Sequence, residues 1–219
     1  MTTWQAFVFD FDGVLADSVE VKTRAFEALY LPHGRDVADQ VVRHHREHGG
    51  MPRREKFAHY QAALLGRPAD DAELDRLCEA FSKLVVDAVA EAPEIPGAEA
   101  FLRHWSGRVP LYVDSASPDE ELAVILKRRG LDGLFRAVYG SHRGKAENLA
   151  AIIAEHGYDP ARVLFFGDAV SDLRAAETCG AAFLGIVPDA DGPLARAAQG
   201  RPLLRDFHEA RAYLEQEAT

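Results

Sequence analysis

The sequence predicts an α/β protein whose parallel sheet is interrupted, directly after its first strand, by an all-helical insertion. Three observations carry this prediction. Residues 4–9 are mostly apolar and aromatic, as a strand buried on both faces should be. Residues 17–93 then show helical spacing and turns, with no strand signal. From there on, short apolar runs alternate with helical stretches, the pattern of a parallel sheet covered by helices on both faces.

In chain order, the first helix is expected over residues 19–31, with Val21, Ala25, Ala28 and Leu29 along one stripe, and Pro32-His33-Gly34 stops it. Asp36 offers an N-cap to a second helix that runs to about Glu47 and is ended by Gly49-Gly50. Pro52 stands where a first helical residue belongs, and its helix runs to Gly66. A fourth helix opens at Asp70 or Asp71, with Leu74, Leu77, Cys78, Phe81, Leu84, Val85 and Ala88 at helical spacing. This stripe reads as packing between helices rather than as a partner-binding face. His44, His45 and His48 in the second helix read as surface histidines, because no cysteine or acid completes a metal-ligand set with them except Glu47, which points elsewhere on the helix.

Pro93-Glu94-Ile95-Pro96-Gly97 forms a stiff link. Beyond it, strands are expected over residues 109–113, 137–139, 163–166 and 182–187, and helices over 120–129, 145–156, 172–179 and 206–217.

A chain of 219 residues suits one core with an insertion or two small domains. Its 47% hydrophobic and 27% charged residues are those of an ordinary soluble protein. The net charge of -10 argues against nonspecific nucleic-acid binding, which needs a basic face to displace counterions. It does not exclude a small anionic substrate, since a few placed cations and a metal set the local field. No apolar run approaches bilayer length, and no basic segment leads into one at the N-terminus. Cys78 and Cys179 are isolated, without a CxxC pair. The expectation is a cytoplasmic protein, monomeric or weakly dimeric, that acts on a small molecule without a nucleic-acid or membrane partner.

In parallel sheets of this kind, ligands gather outside the carboxyl ends of the strands. Asp10 and Asp12 end the first strand, Asp114-Ser115 the second, residues 142–145 follow the third, and Gly167-Asp168 ends the fourth. Asp10 and Asp12 leave the same side of an extended chain, so they repel unless a cation or a shared proton intervenes. Hard oxygen ligands suit Mg²⁺, and Asp168 meets them at the strand tips. Gly13 supplies the freedom to turn sharply there. Asp172 lies one helical turn after Asp168, where it either orients the site or serves as a helix N-terminal acid. Ser115-Ala116-Ser117 reads either as a phosphate-binding start of a helix opened by Pro118 or as an ordinary cap. Lys145 opens a helix at the same edge, an unfavourable place for a cation without a task.

Asp10-Phe11-Asp12-Gly13-Val14-Leu15-Ala16-Asp17-Ser18, Ser115 after a strand, Lys145, and Gly167-Asp168-Ala169-Val170-Ser171-Asp172 resemble the four motifs of the haloacid dehalogenase superfamily, in its phosphatase and phosphomutase branch. The inserted helices are similar to the cap of the phosphoglycolate phosphatase and β-phosphoglucomutase-like group. The likeness covers nearly the whole chain. It implies a Rossmann-like catalytic core of residues 1–16 and 95–219 with an all-helical cap domain of residues 17–94.

The resemblance implies a phosphoric monoester hydrolase that uses an aspartyl-phosphate. Asp10 would be the nucleophile, and Asp12 would protonate the leaving oxygen and later take a proton from water. Mg²⁺ would be held by the Asp10 carboxylate, the Asp12 backbone carbonyl and Asp168, with Asp172 supporting the site. Ser115 and Lys145 would grip the phosphoryl oxygens. Dehalogenases and phosphonate-cleaving members lack the second acid, so Asp12 argues against both activities. Gly50-Met51-Pro52-Arg53 resembles the cap loop that places an arginine over the substrate, which makes Arg53, or Arg54 beside it, the candidate specificity residue.

Two positions depart from the family pattern. Gly144-Lys145-Ala146-Glu147 replaces the frequent Lys-Pro-x-Pro, so Lys145 is assigned by position. Asp114 stands where a small or apolar residue is usual, and it would either repel substrate or pair with an arginine. The same residues would serve a phosphomutase that returns the phosphoryl group to a sugar. A catalytically silent regulator is disfavoured because every catalytic position is filled.

Overall fold

The computed structural model describes residues 4–188 and 192–217. The first strand, β1 (Ala6–Phe9), is wholly buried. It is followed by α1 (Val19–Tyr30), α2 (Arg35–Glu47), α3 (Arg53–His59) and α4 (Asp71–Glu91). Helix α3 widens into one π-helical turn at Tyr60–Leu64. Then come α5 (Ala98–Trp105), β2 (Leu111–Asp114), α6 (Asp119–Arg128), β3 (Ala137–Tyr139), α7 (Lys145–His156), β4 (Val163–Gly167), α8 (Val170–Cys179), β5 (Ala182–Ile186), α9 (Pro193–Ala197), β6 (Leu203–Leu204) and α10 (Phe207–Glu217). No helix among the described residues is long and apolar enough to cross a membrane.

The strands form one six-stranded sheet in the order β3-β2-β1-β4-β5-β6, with every pairing parallel. The chain builds outward from β1 in one direction and from β4 in the other. A crevice therefore opens at the carboxyl ends of these two central strands.

Side chains alternate across the sheet with the two-residue strand period. Phe7, Phe9 and Phe166 face one layer, where Phe9 and Phe166 stack with centroids 4.6 Å apart and Phe101, Trp105 and Phe207 close around them. Ala6, Val8 and Phe165 face the other layer against Leu149, Ile152 and Leu173. The expected α/β class with a parallel sheet is the observed one.

The inserted helices pack around Phe26, Tyr30, Phe57, Tyr60 and Phe81, with the Phe26 and Phe81 rings 4.3 Å apart, and these rings belong to the same apolar cluster as Phe7, Phe9 and Phe166. The two passages between insertion and sheet run side by side. The Asp17 N–H donates to the Pro93 carbonyl at 2.9 Å, and the Ile95 N–H to the Leu15 carbonyl at 3.3 Å.

Several element ends differ from the sequence reading. Helix α2 starts at Arg35 after Gly34, so Asp36 lies in its first turn rather than at its cap. Pro52 and Pro118 each precede their helix instead of opening it. Strand β2 begins only after Pro110, which has no N–H for the ladder. Asp70 caps α4 as expected, accepting from the Glu73 N–H at 2.8 Å. Leu84, placed on the packing stripe, is 47% exposed.

Candidate active site

The β1 ladder runs one residue past the strand, where the Asp10 N–H donates to the Phe166 carbonyl at 2.9 Å. The chain then turns through Gly13 at φ +82°, a backbone conformation that L side chains rarely adopt. A Cβ there would lie 2.1 Å from Asp168 Oδ2, so only glycine lets the loops after β1 and β4 meet.

Asp10, Asp168 and Asp172 converge so closely that one oxygen from each lies within 4.8 Å of the others. Lys145, buried at the start of α7, stands 2.5 Å from Asp172 Oδ1 and 3.0 Å from Asp10 Oδ1. Asp172 Oδ2 accepts the Asp168 and Ala169 N–H groups at 3.1 and 3.0 Å. Asp172 is therefore the helix N-terminal acid and, through its other oxygen, the partner of Lys145.

Three carboxylates share one lysine. Burial pushes the Asp10 carboxyl up to about 6; Lys145 opposes the shift while Asp172 and Asp12 reinforce it. Burial, then Asp10 and Asp172, raise Asp168 well above its ordinary value. Burial alone would lower Lys145, but its acidic neighbours more than offset this and hold it charged. No hydrogen-bond donor among the described residues is aligned on Asp10 Oδ1. A crowded all-oxygen donor set with surplus negative charge fits a small hard dication.

Asp12 is held differently. Its Oδ1 accepts from the Ser18 hydroxyl at 2.6 Å, and its Oδ2 from Lys22 Nζ and from the Ser117 hydroxyl at 3.0 Å. Lys22 Nζ also donates to Ser117 Oγ at 2.6 Å. Burial disfavours ionisation of Asp12, but Lys22 and the two hydroxyls win, and its carboxyl lies below the usual range. Three donors from the start of α1 and the loop after β2 thus hold its side chain.

Ser115 is buried, and its Oγ accepts from the Ser117 N–H at 3.2 Å, which leaves its own O–H free to donate. Behind it, Asp114 Oδ1 accepts from Asn148 Nδ2 at 2.9 Å, while its Oδ2 has no hydrogen-bond partner among the described residues. Burial pushes the Asp114 carboxyl up to about 7 against the pull of Lys145 and Asn148.

A cavity of about 130 Å³ lies between this sheet edge and the inserted helices. Asp10, Asp12, Ser115 and Asp168 form its floor, and His45 and Lys56 lie in its roof. Arg53 borders the cavity, but its guanidinium forms a two-pronged pair with Glu121 of α6 at 2.7 and 2.5 Å and donates to the Ser82 hydroxyl at 2.9 Å. Arg54 points away, to Asp71 and Asp75 at the surface.

Four participants escaped the sequence reading: Lys22, Lys56, His45 and Glu121. Lys22 lies four residues after Ser18, on the same face at the start of α1, and that spacing is a signal for a joint contact. His45 is a correction, since it is buried where a surface histidine was expected. It continues the stripe of Ala38 and Val41, so its burial follows from helical period.

A family model described as haloacid dehalogenase-like hydrolase matches residues 4–180. A phosphoglycolate phosphatase from Synechococcus elongatus is 27% identical over 179 residues, which is 80% of each chain. A phosphorylated carbohydrates phosphatase from Thermotoga maritima is 25% identical over 181 residues, 80% of this chain and 82% of that one. Among solved structures, β-phosphoglucomutase from Clostridium difficile superposes with a TM-score of 0.79 at 19% identity, over 98% of this chain and 96% of that one.

Proposed function

The chain belongs to the haloacid dehalogenase-like hydrolases, and from that premise we propose that it is a Mg²⁺-dependent phosphatase of small phosphorylated metabolites, working in the cytoplasm through an aspartyl-phosphate. What carries the reading is the meeting of Asp10, Asp12, Ser115, Lys145, Asp168 and Asp172, from four separate segments, at one sheet edge under a helical roof. The relatives named as phosphatases support hydrolysis over phosphoryl return to a sugar. Likeness to the mutase at 19% identity speaks only to the fold.

In this reading Asp10 attacks phosphorus, and the bond to the leaving alcohol breaks as the bond to Asp10 forms. Lys145 and the Ser115 hydroxyl hold the phosphoryl oxygens, and Asp172 keeps Lys145 beside Asp10. Asp12 gives the leaving oxygen a proton, then takes one from the water that attacks the aspartyl-phosphate and frees inorganic phosphate. With Lys22 on its Oδ2, Asp12 is ionised, so before it can donate, Lys22 must withdraw and the carboxylate must take a proton from solvent. Lys22 sits on α1, so motion of the inserted cap, residues 17–94, would supply that change. Mg²⁺ would be held by the Asp10 carboxylate, the Asp12 main-chain carbonyl and Asp168, and it would offset charge on the phosphoryl oxygens.

The test is Mg²⁺-dependent phosphate release from a panel of small phosphate esters, beside an Asp10→Asn control. Release from one or a few esters, absent in the control, is the expected result. Isomerised product with no net phosphate would replace the phosphatase with a mutase.

A further inference from the structure

Two departures from the family pattern stand apart in the sequence: Asp114 before Ser115, and the absence of prolines after Lys145. The structure joins them. Counted from Lys145, the proline places of Lys-Pro-x-Pro fall on Ala146 and Asn148, and Asn148 Nδ2 donates to Asp114 Oδ1 at 2.9 Å. Both side chains are buried, Asp114 at 0% and Asn148 at 2% exposure.

Their places in the fold give this bond leverage. Asp114 ends β2 beside Ser115, and Asn148 lies three residues after Lys145 in the first turn of α7. Ser115 borders the cavity, while Asp114, on the alternate face of the strand, turns toward α7. The bond therefore links the two segments that carry Ser115 and Lys145. Asn148 Nδ2 also reaches the Gly140 carbonyl after β3 at 3.3 Å. The loops after β2 and β3 are themselves laced together. The Ser115 N–H donates to the Tyr139 carbonyl and the Ser141 N–H to the Ser117 carbonyl, each at 2.9 Å, and the Gly140 N–H donates to Asp119 Oδ1 at 2.8 Å. Through Asn148 the start of α7 joins this lacing.

We propose that Asp114 and Asn148 are positioning residues of the phosphate grip: their hydrogen bond holds the start of α7 against the end of β2 and so sets Lys145 relative to Ser115, a restraint that two prolines would otherwise supply. A proline fixes φ and has no N–H. Here the Asn148 N–H belongs to the helix and donates to the Gly144 carbonyl at 3.0 Å, a bond that a proline would remove. Lys145 thus opens an ordinary helical turn, and a side-chain tie restrains it.

Keeping Asp114 is costly, because its Oδ2 has no hydrogen-bond partner among the described residues. An apolar residue would fill the strand end at less cost, but it could not receive Asn148. Charge is not the reason for the acid. Asp10 and Asp172 already pair with Lys145 at 3.0 and 2.5 Å.

The tie rests on the reading of Lys145 and Ser115 as the phosphate grip, and the experiment tells the two apart. Calorimetry measures the affinity of inorganic phosphate, with Mg²⁺ present, for wild type, Asp114→Ala, Asn148→Ala, the double variant and Asp114→Asn. In parallel, kcat/KM is measured on p-nitrophenyl phosphate. Each single alanine variant should weaken phosphate binding and lower kcat/KM by about tenfold. The double variant should lose no more than the worse single, because one bond is removed in all three. Asp114→Asn keeps an oxygen for Asn148 Nδ2 and should stay within about threefold of wild type on both measures. Asn148→Leu, close in size and without a donor, repeats the test if an alanine variant does not fold.

A merely structural role would lower kcat and the number of competent sites and leave the dissociation constant and KM alone. That outcome overturns the tie, as do additive losses or an Asp114→Asn as damaging as Asp114→Ala. If wild type releases phosphate from no ester but binds it in the expected dependence on the Asp114 and Asn148 pair, the phosphatase reading fails and the tie stands. Turnover by wild type with phosphate affinity unchanged in the variants overturns the tie alone. A wild type that binds no phosphate also overturns it, since there is then no grip to set.

Discussion

The floor and the roof of the cavity handle charge in opposite ways. On the floor, charged groups are set against partners from distant segments: Lys145 between Asp10 and Asp172, Lys22 and two serines on Asp12, Asn148 on Asp114. In the roof, Arg53 is matched by Glu121, but Lys56 faces a histidine. Under the proposed function the floor would take the phosphoryl group, which is the same in every substrate, and the roof would face the part that varies. Chemistry and selection would then be divided between the sheet edge and the helical insertion.

The largest effect is expected on the floor. Asp10→Asn should lower turnover by at least about 1000-fold, because an amide cannot serve as the nucleophile, while the fold is kept. Appreciable phosphate release from the purified variant would remove Asp10 from that role. Lys145→Ala should come next and should strike stability as well. It leaves Asp10 and Asp172 buried against each other, and breaking a buried pair costs roughly 3–5 kcal/mol. Denaturant unfolding measures the loss, and an unchanged midpoint would mean that the floor does not depend on its lysine.

In the roof, Arg53→Ala should cost roughly 1–3 kcal/mol, since it strands the carboxylate of Glu121. The Arg53→Ala/Glu121→Ala double variant should lose less than the sum of the singles, because neither group is then left unpaired. Strict additivity would mean that the pair does not couple the insertion to α6. The close approach of Gly50 to Ser171, where a Cβ would lie 1.8 Å from the hydroxyl, marks a second point at which roof and floor touch.

The floor was far more legible in the sequence than the roof, for a physical reason. Each floor residue stands at the end of an apolar strand or the start of a helix, so chain order alone places it: β3 and α7 match the expected residues, and Lys145 opens α7. Helix α5 is hard to read because it has only eight residues and follows directly on the 93–97 link, although Phe101 and Trp105 lie one turn apart on it. Strand β6 has two residues and α9 has five, too few to show a period. Strand order is not legible in the sequence, because it depends on crossovers that local pattern does not encode. In the roof, the fates of Arg53 and Lys56 depend on which carboxylate α6 brings near, and nothing at spacing three on α3 reveals Glu121.

The smallest effect is the dependence of stability on pH, and there the two walls should have opposite signs. Burial raises Asp114 from 3.8 to about 7, so between these values the folded state holds a proton that the unfolded chain has lost. This contribution is fully present below pH 3.8 and is lost as pH rises through about 7. Burial lowers Lys56 from 10.5 to about 7, so over that interval the unfolded chain holds the extra proton. Its contribution is present above pH 10.5 and is lost as pH falls through about 7. Asp114→Asn should therefore flatten the decline on the acid side of neutrality, and Lys56→Met the rise on the alkaline side. Each variant is read as its difference from wild type in unfolding free energy against pH. If Asp114→Asn altered the alkaline limb or Lys56→Met the acid one, the two walls would titrate as one network, and the division between an acidic floor and a basic roof would fail.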